Sequence, residues 1–122
     1  MISPLASQVV GRDKSVLVMR LPSTVTDEQV NAIREEVRSR LPRQAGAGLV
    51  IDMEAVELIN SIGITCLLQV EEDARKSGAR AVLAAVPPAI SQFLRQLKLD
   101  RKFRAIASVD EAVQLLEAAS AD

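Results

Sequence analysis

GLVIDM, residues 48–53, is the stretch on which the fold turns. Leu49, Val50 and Ile51 follow one another with no polar position between them. A strand with one wet face alternates apolar and polar residues, because successive side chains point to opposite faces. A run apolar on both faces belongs inside a covered sheet, which is the condition of parallel sheets. AVLAAV, residues 81–86, has the same character and is stopped by Pro87 and Pro88. SVLVMRL, residues 15–21, is a β-branched and aliphatic run that Pro22 closes. Just before it, VVGRDKSV reads as a hairpin around Gly11 and Asp13.

The segments between these runs have helical spacing. Thr26 followed by Gln29 has the form of a capping box, and Val30, Ile33, Val37 and Leu41 then recur every three or four residues until Pro42 and the Gly46–Gly48 region end the helix. A second helix is expected over roughly Ile62 to Lys76, with Ile64, Leu67, Leu68 and Ala74 as its stripe and Gly78 as C-cap. A third, from about Ala89, is expected to bury Ile90, Phe93, Leu94 and Leu97. FRAIAS, residues 103–108, reads as a short last strand. Ser108 with Glu111 opens a last helix whose stripe is Val113, Leu116 and Ala119. The order strand, strand, then helix and strand in alternation to a final helix packs as an α/β layer with a largely parallel sheet. No repeat or low-complexity linker interrupts it, so residues 1–122 are expected to form a single domain.

Composition narrows the function. A chain of 122 residues with 48% hydrophobic content fills one core. Its 16 acidic and 15 basic side chains nearly cancel, and the basic ones form no contiguous block, which argues against nucleic acid as partner. Phe93 and Phe103 are the only aromatics, so neither a base-stacking platform nor an aromatic cage is expected. Cys66 stands alone inside ITCLLQV, which excludes an intramolecular disulfide and suits a small buried side chain. No segment approaches the ~20 apolar residues that span a bilayer. MISPLASQVV has neither a basic opening nor a continuous apolar stretch, so no secretory signal and no membrane insertion are expected, and the localisation expected is cytoplasmic. With no histidine in the chain, histidine-dependent triads and histidine-ligated metal sites are excluded.

Three features compete for a chemical role. Asp52, Glu54 and Glu57 lie near the end of a strand, where acid/base and metal groups gather, but no base partners them and they read as a solvated loop. AGAG, residues 45–48, lacks the Lys and Ser/Thr of a phosphate loop and reads as a turn. INSIGI, residues 59–64, places Asn60 and Ser61 between apolar runs. Serine is a favoured N-cap and Asn before it suits a turn. A helix N-terminus also offers unpaired N–H groups and the positive end of a dipole, so the fold tolerates a phosphate on Ser61. Phosphoserine carries roughly −1.5 to −2 charge at neutral pH.

From Val50 to Phe103 the sequence, VIDMEAVELINSIGITCLLQVEEDARKSGARAVLAAVPPAISQFLRQLKLDRKF, resembles the STAS domains of bacterial anti-sigma factor antagonists, and the likeness extends over roughly Ser15 to Leu116. The resemblance implies one STAS-like domain: a mixed, mostly parallel sheet of about four to five strands, with four helices packed mainly on one face. It implies a partner switch and no enzyme. The unphosphorylated domain binds a GHKL-type serine kinase that doubles as anti-sigma factor, phosphorylation releases it, and a PP2C-type phosphatase restores binding. The family's phosphorylated serine falls on Ser61 and its motif glycine on Gly63. Asn60 and Ile62 replace the family's aspartate and second hydroxyl residue, and Ser23, Thr24, Val25 and Thr26 stand where many antagonists carry Gly-Glu-(Leu/Ile)-Asp.

The partner face implied is therefore Asn60, Ser61, Ile62 and Gly63 with Thr24 and Thr26. No cofactor, metal or nucleic acid enters this reading, and the switch is expected as a monomer or weak dimer. A scaffold subunit of a stressosome-like assembly that sequesters a kinase is the alternative, expected as a large oligomer. A STAS subunit of a lipid-transport ATPase is a third possibility, one that needs no phosphorylation. No cluster in the sequence supplies a nucleophile with an adjacent base.

Overall fold

The chain builds β1 (Ala6–Val10), β2 (Val16–Arg20), α1 (Asp27–Arg40), β3 (Gly48–Asp52), α2 (Ser61–Lys76), β4 (Arg80–Ala84), α3 (Pro88–Gln96), β5 (Ala105–Ile106) and α4 (Val109–Ser120) in that order. This is a computed structural model, and it describes residues 6–10, 15–42 and 46–120. The element order is the one expected from the sequence. The five strands form one sheet in the order β1-β2-β3-β4-β5, with β1 antiparallel to β2 and the rest parallel. Val10 pairs with Val16, while the turn expected around Gly11 and Asp13 lies outside the described residues. FRAIAS contributes only the two residues of β5 to the sheet.

β3 is buried along its whole length. On one face of the sheet Leu49 and Ile51 join Leu17, Met19 and Leu83, and α1, α2 and α3 cover them with Ile33, Val37, Leu67, Val70, Ile90 and Leu94. On the other face Val50 joins Val16, Val18 and Val82, and α4 covers them with Ala112 and Leu116. Three helices thus lie on one face and one on the other. Each fully buried aliphatic side chain contributes roughly 1.5–3 kcal/mol relative to an exposed one, so the layer on both faces is what holds the sheet.

Local chemistry sets the helix ends. The Thr26 N–H donates to Gln29 Oε1 at 2.9 Å, which satisfies a donor at the start of α1. At the end of α2, Gly78 adopts φ 82 and its N–H donates to the Arg75 carbonyl at 3.0 Å, while the Ala79 N–H donates to the Ala74 carbonyl at 2.9 Å. That pair of bonds is a Schellman stop, which needs a residue without a Cβ penalty at Gly78. Ser108 Oγ accepts from the Glu111 N–H at 3.1 Å and opens α4 as its sequence implies.

Leu97 departs from expectation: it is 46% exposed. The helical period runs on through it, but α3 ends at Gln96 and the chain turns through Lys98 at φ 61, which carries Leu97 off the buried stripe. Phe93 is only half-buried. Between the first two helices, Arg34 Nε and Nη2 donate to Asp73 Oδ2 at 3.0 Å and Oδ1 at 3.2 Å. This two-pronged contact fixes the register of α1 against α2, and its partial exposure limits its contribution to stability.

Gly48 decides how closely α4 approaches. A Cβ there would lie 2.7 Å from Leu116 Cδ1. Gly48→Ala is expected to lower stability by about 1–3 kcal/mol through overpacking, measured by urea unfolding. Leu116→Ala should then cost less in the Gly48→Ala background than in the wild-type chain, because the truncated side chain vacates the contact; strictly additive losses would show that Gly48 does not set this approach.

Candidate functional site

Two loops meet at the C-terminal ends of the parallel strands, where α/β sheets place their sites. The Leu21 N–H donates to the Asp52 carbonyl at 3.0 Å, and the N–H groups of Glu57 and Leu58 donate to the Ser23 carbonyl at 2.9 and 3.3 Å. Beneath these bonds Val25, Met53 and Val56 are buried. The segment before α1 is thereby clasped to the segment before α2, and Thr24 and Thr26 stand exposed beside Asn60 to Gly63.

Asn60, and not Ser61, caps α2. Asn60 has extended backbone, its Oδ1 accepts from the Gly63 N–H at 3.1 Å, and its carbonyl accepts from the Ile64 N–H at 2.9 Å. Both residue types favour the cap, so adjacent Asn and Ser give the sequence no means of choosing. The tertiary clasp does choose, by holding Asn60 extended. Ser61 is then the first residue of the helix, exposed, and its hydroxyl has no hydrogen-bond partner among the described residues. Among the described residues the N–H groups of Ser61 and Ile62 have no partner, and they remain donors at the positive end of α2.

Gly63 has a packing reason. A Cβ on it would lie 2.6 Å from Ile59 Cγ1 and 3.7 Å from Val25 Cβ, so its absence lets Ile59 fold over the helix start. Ile62 is half-buried and faces a groove of about 330 Å³ between α1 and α2. Ser61, Ile62, Thr65 and Gln69 line it from α2, and Asp27, Val30 and Asn31 from α1. Thr24 and Thr26 are not among these lining residues. Thr65 and Gln69 follow Ser61 by one and two helical turns, so spacing alone had the means to find them. Asp27 and Asn31 belong to the site only because α1 packs on α2, which no local pattern reveals.

The acidic trio separates. Asp52 is buried, with Oδ1 accepting from the Glu54 N–H at 3.0 Å, so its carboxylate closes a turn and is not part of a solvated loop. Glu54 and Glu57 are exposed. Among the described residues no group of three His, Cys, Asp or Glu side chains is placed to hold a metal ion. Cys66 is buried, and burial pushes its thiol up from 9.0 to about 11, with the Arg34 guanidinium opposing the rise. The Arg34 guanidinium is itself held above its usual range, chiefly by its hydrogen bonds to Asp73. No helix among the described residues is long and apolar enough to cross a membrane.

Residues 7–112 match the STAS domain family, and the chain belongs to it. It is 23% identical over 99 residues to the RsbT co-antagonist protein RsbRA of Bacillus subtilis; the match covers 81% of this chain and 36% of RsbRA, so the chain spans about a third of that relative's length. A chain from the stressosome, described as a signal integration and transduction hub, superposes with a TM-score of 0.74 at 26% identity, over 94% of this chain and 96% of that one. The anti-sigma factor antagonist SpoIIAA in its unphosphorylated form superposes with a TM-score of 0.73 at 16% identity, over 93% and 96% of the two chains.

The change of cap separates the roles of the two neighbours. Asn60→Ala is expected to cost about 0.5–2 kcal/mol of stability, whereas Ser61→Ala is expected to stay within about 0.5 kcal/mol; the reverse order in thermal or urea unfolding would return the cap to Ser61. Cys66 supplies a pH test. Its thiol ionises more easily unfolded than folded, so its contribution to stability is complete below pH 9.0 and is lost as pH rises toward about 11. A thiol reagent at pH 8 is expected to label Cys66 only at the rate of global opening, and rapid labelling of the native chain would contradict its burial.

Proposed function

We propose that the domain is a protein–protein switch controlled by phosphorylation of Ser61. The observation that carries this reading is an exposed, unpartnered Ser61 hydroxyl at the first position of α2, on the rim of the α1–α2 groove. A kinase needs an accessible hydroxyl, and the fold must survive the product. The two unpaired N–H groups and the positive end of the helix suit a phosphate there, so modification changes the surface and leaves the core alone.

In this reading the unphosphorylated face, formed by Asn60, Ser61, Ile62 and Gly63 with Thr24 and Thr26 beside them, binds a GHKL-type serine kinase that acts as anti-sigma factor. Binding frees the sigma factor or a related output. The phosphate then places roughly two negative charges in a desolvated interface, a penalty on the order of several kcal/mol, and the complex separates. A PP2C-type phosphatase resets the domain. Asn60 in place of the family's aspartate keeps the cap and removes a charge from the kinase's view. The domain performs no chemistry of its own in this scheme and acts in the cytoplasm.

A second reading, a scaffold subunit that holds a kinase within a large assembly, draws support from the 26% identity to the stressosome chain and from the RsbRA match. Size-exclusion chromatography with light scattering distinguishes them: the switch is expected to elute near its monomer mass of 13.2 kDa and the scaffold far above it.

The switch itself is tested by capture from native lysate with wild type, Ser61→Ala and Ser61→Asp as baits, with mass spectrometry of prey and bait. Ser61→Ala is expected to retain the kinase and Ser61→Asp to lose it by at least an order of magnitude. Equal capture by the two variants overturns the proposal.

A further inference from the structure

A second cavity, of about 250 Å³, lies beneath α3 at the β4–β5 edge of the sheet, and it shares no lining residue with the Ser61 groove. Leu83 of β4, Leu94 of α3 and Phe103 form its apolar floor, and all three are buried. Ser91 lines it from α3, and the exposed Asp100 and Arg104 stand at its mouth. An aliphatic cavity of ~150 Å³ already holds a benzene ring, so the space under α3 suits a small ring or a short alkyl chain.

The segment that carries Asp100 and Arg104 to the mouth is predominantly basic. Arg95, Lys98, Arg101 and Arg104 are exposed, and none forms an ion pair among the described residues. Lys102 is held by Glu71 at 3.7 Å, and Asp100 is the single carboxylate between residues 95 and 104. Arg95 and Lys98 complement the negative end of α3. Arg101 and Arg104 lie beyond that helix and have no such partner. Five basic residues fall within the ten positions from Arg95 to Arg104, and Arg104 is the one that lines the cavity.

The backbone around α3 is also unusual. The helix is held between two non-glycine residues in the left-handed region, Ala85 at φ 54 and Lys98 at φ 61. At Lys98 the conformation closes α3 as a Schellman stop, with the Lys98 N–H donating to the Arg95 carbonyl at 2.9 Å and the Leu99 N–H to the Leu94 carbonyl at 2.9 Å; Ala85 ends no helix, and left-handed residues of that kind gather at ligand clamps and switches.

We infer that the cavity beneath α3 binds a small anionic amphiphile, a short alkyl or aryl body in the apolar space with a phosphate head at Arg104. Apolar burial supplies the affinity for the body, and the guanidinium fork matches the phosphate oxygens. Asp100 opposes the head and makes the binding sensitive to its charge. The inference is independent of any role for Ser61.

The full chain titrated with hexyl phosphate, with hexanol and with inorganic phosphate, followed by calorimetry and by 1H–15N NMR, tests it. Hexyl phosphate is expected to bind more tightly than either half alone and to shift the resonances of Ser91, Leu94 and Phe103 without moving that of Ser61. Arg104→Gln is expected to weaken binding about twofold to fivefold and Asp100→Asn to tighten it by a similar factor. Ser91→Leu, which fills the space at unchanged charge, is expected to abolish hexyl phosphate binding and to leave that of inorganic phosphate as it was. No binding at millimolar hexyl phosphate, the opposite signs at Arg104 and Asp100, or undiminished binding by Ser91→Leu overturns the inference. Cosedimentation with phosphatidylglycerol vesicles that Arg104→Gln weakens assigns the ligand to a lipid surface; hexyl phosphate binding without cosedimentation assigns it to a free phosphate ester, and either result supports the site.

Discussion

β3 is apolar on both faces and sits third of five strands, so the sheet is stable only when both of its faces are covered. Leu49 and Ile51 require one cover and Val50 the other. That constraint places α1, α2 and α3 on one face and α4 on the opposite one. It also makes Gly48 a structural necessity at the point where Leu116 comes within contact. Parallel neighbours on both sides of β3 send the chain through helical crossovers, and those crossovers bring two helix starts side by side at the strand ends.

The candidate site inherits its geometry from that arrangement. Hydrogen bonds from the Glu57 and Leu58 N–H groups to Ser23 bind the two loops, and Val25 and Ile59 pack where Gly63 leaves room. The clasp holds Asn60 extended as the cap and leaves Ser61 one position into the helix with its hydroxyl unengaged. Charge is arranged with a similar asymmetry. The carboxylates farther along α1 and α2, from Glu35 to Asp73, are engaged by Arg34, Arg38, Arg40, Arg75, Lys76 and Lys102, whereas Asp27 at the groove forms no ion pair among the described residues. The basic surface under α3 lies at a different edge of the sheet, so the domain presents two chemically distinct faces.

Much of this was legible in the residues. The nine elements, their order and most of the core follow from apolar runs, helical spacing and caps, because each of those signals is local and strong. The failures are local signals that tertiary context outweighed. Leu97 has the right spacing for the core, but α3 stops one residue before it. FRAIAS has strand composition over six residues, yet only Ala105 and Ile106 find a partner in β4. Asp52 looks like a loop acid, and it is buried because it ends the central strand.

The sequence by itself determined that the domain is α/β with a mostly parallel sheet, that it has an aliphatic core, and that a polar pair interrupts the chain at the start of the second helix. It determined these because side-chain periodicity and capping preference act over a few residues. Only the tertiary structure decided which of Asn60 and Ser61 is the cap, which side chains of α1 share a groove with Ser61, and that a cavity opens beneath α3 against Leu83 and Phe103. Each of those depends on contacts between segments far apart in the chain, where the geometry of packing, and not the propensity of any one residue, sets the outcome.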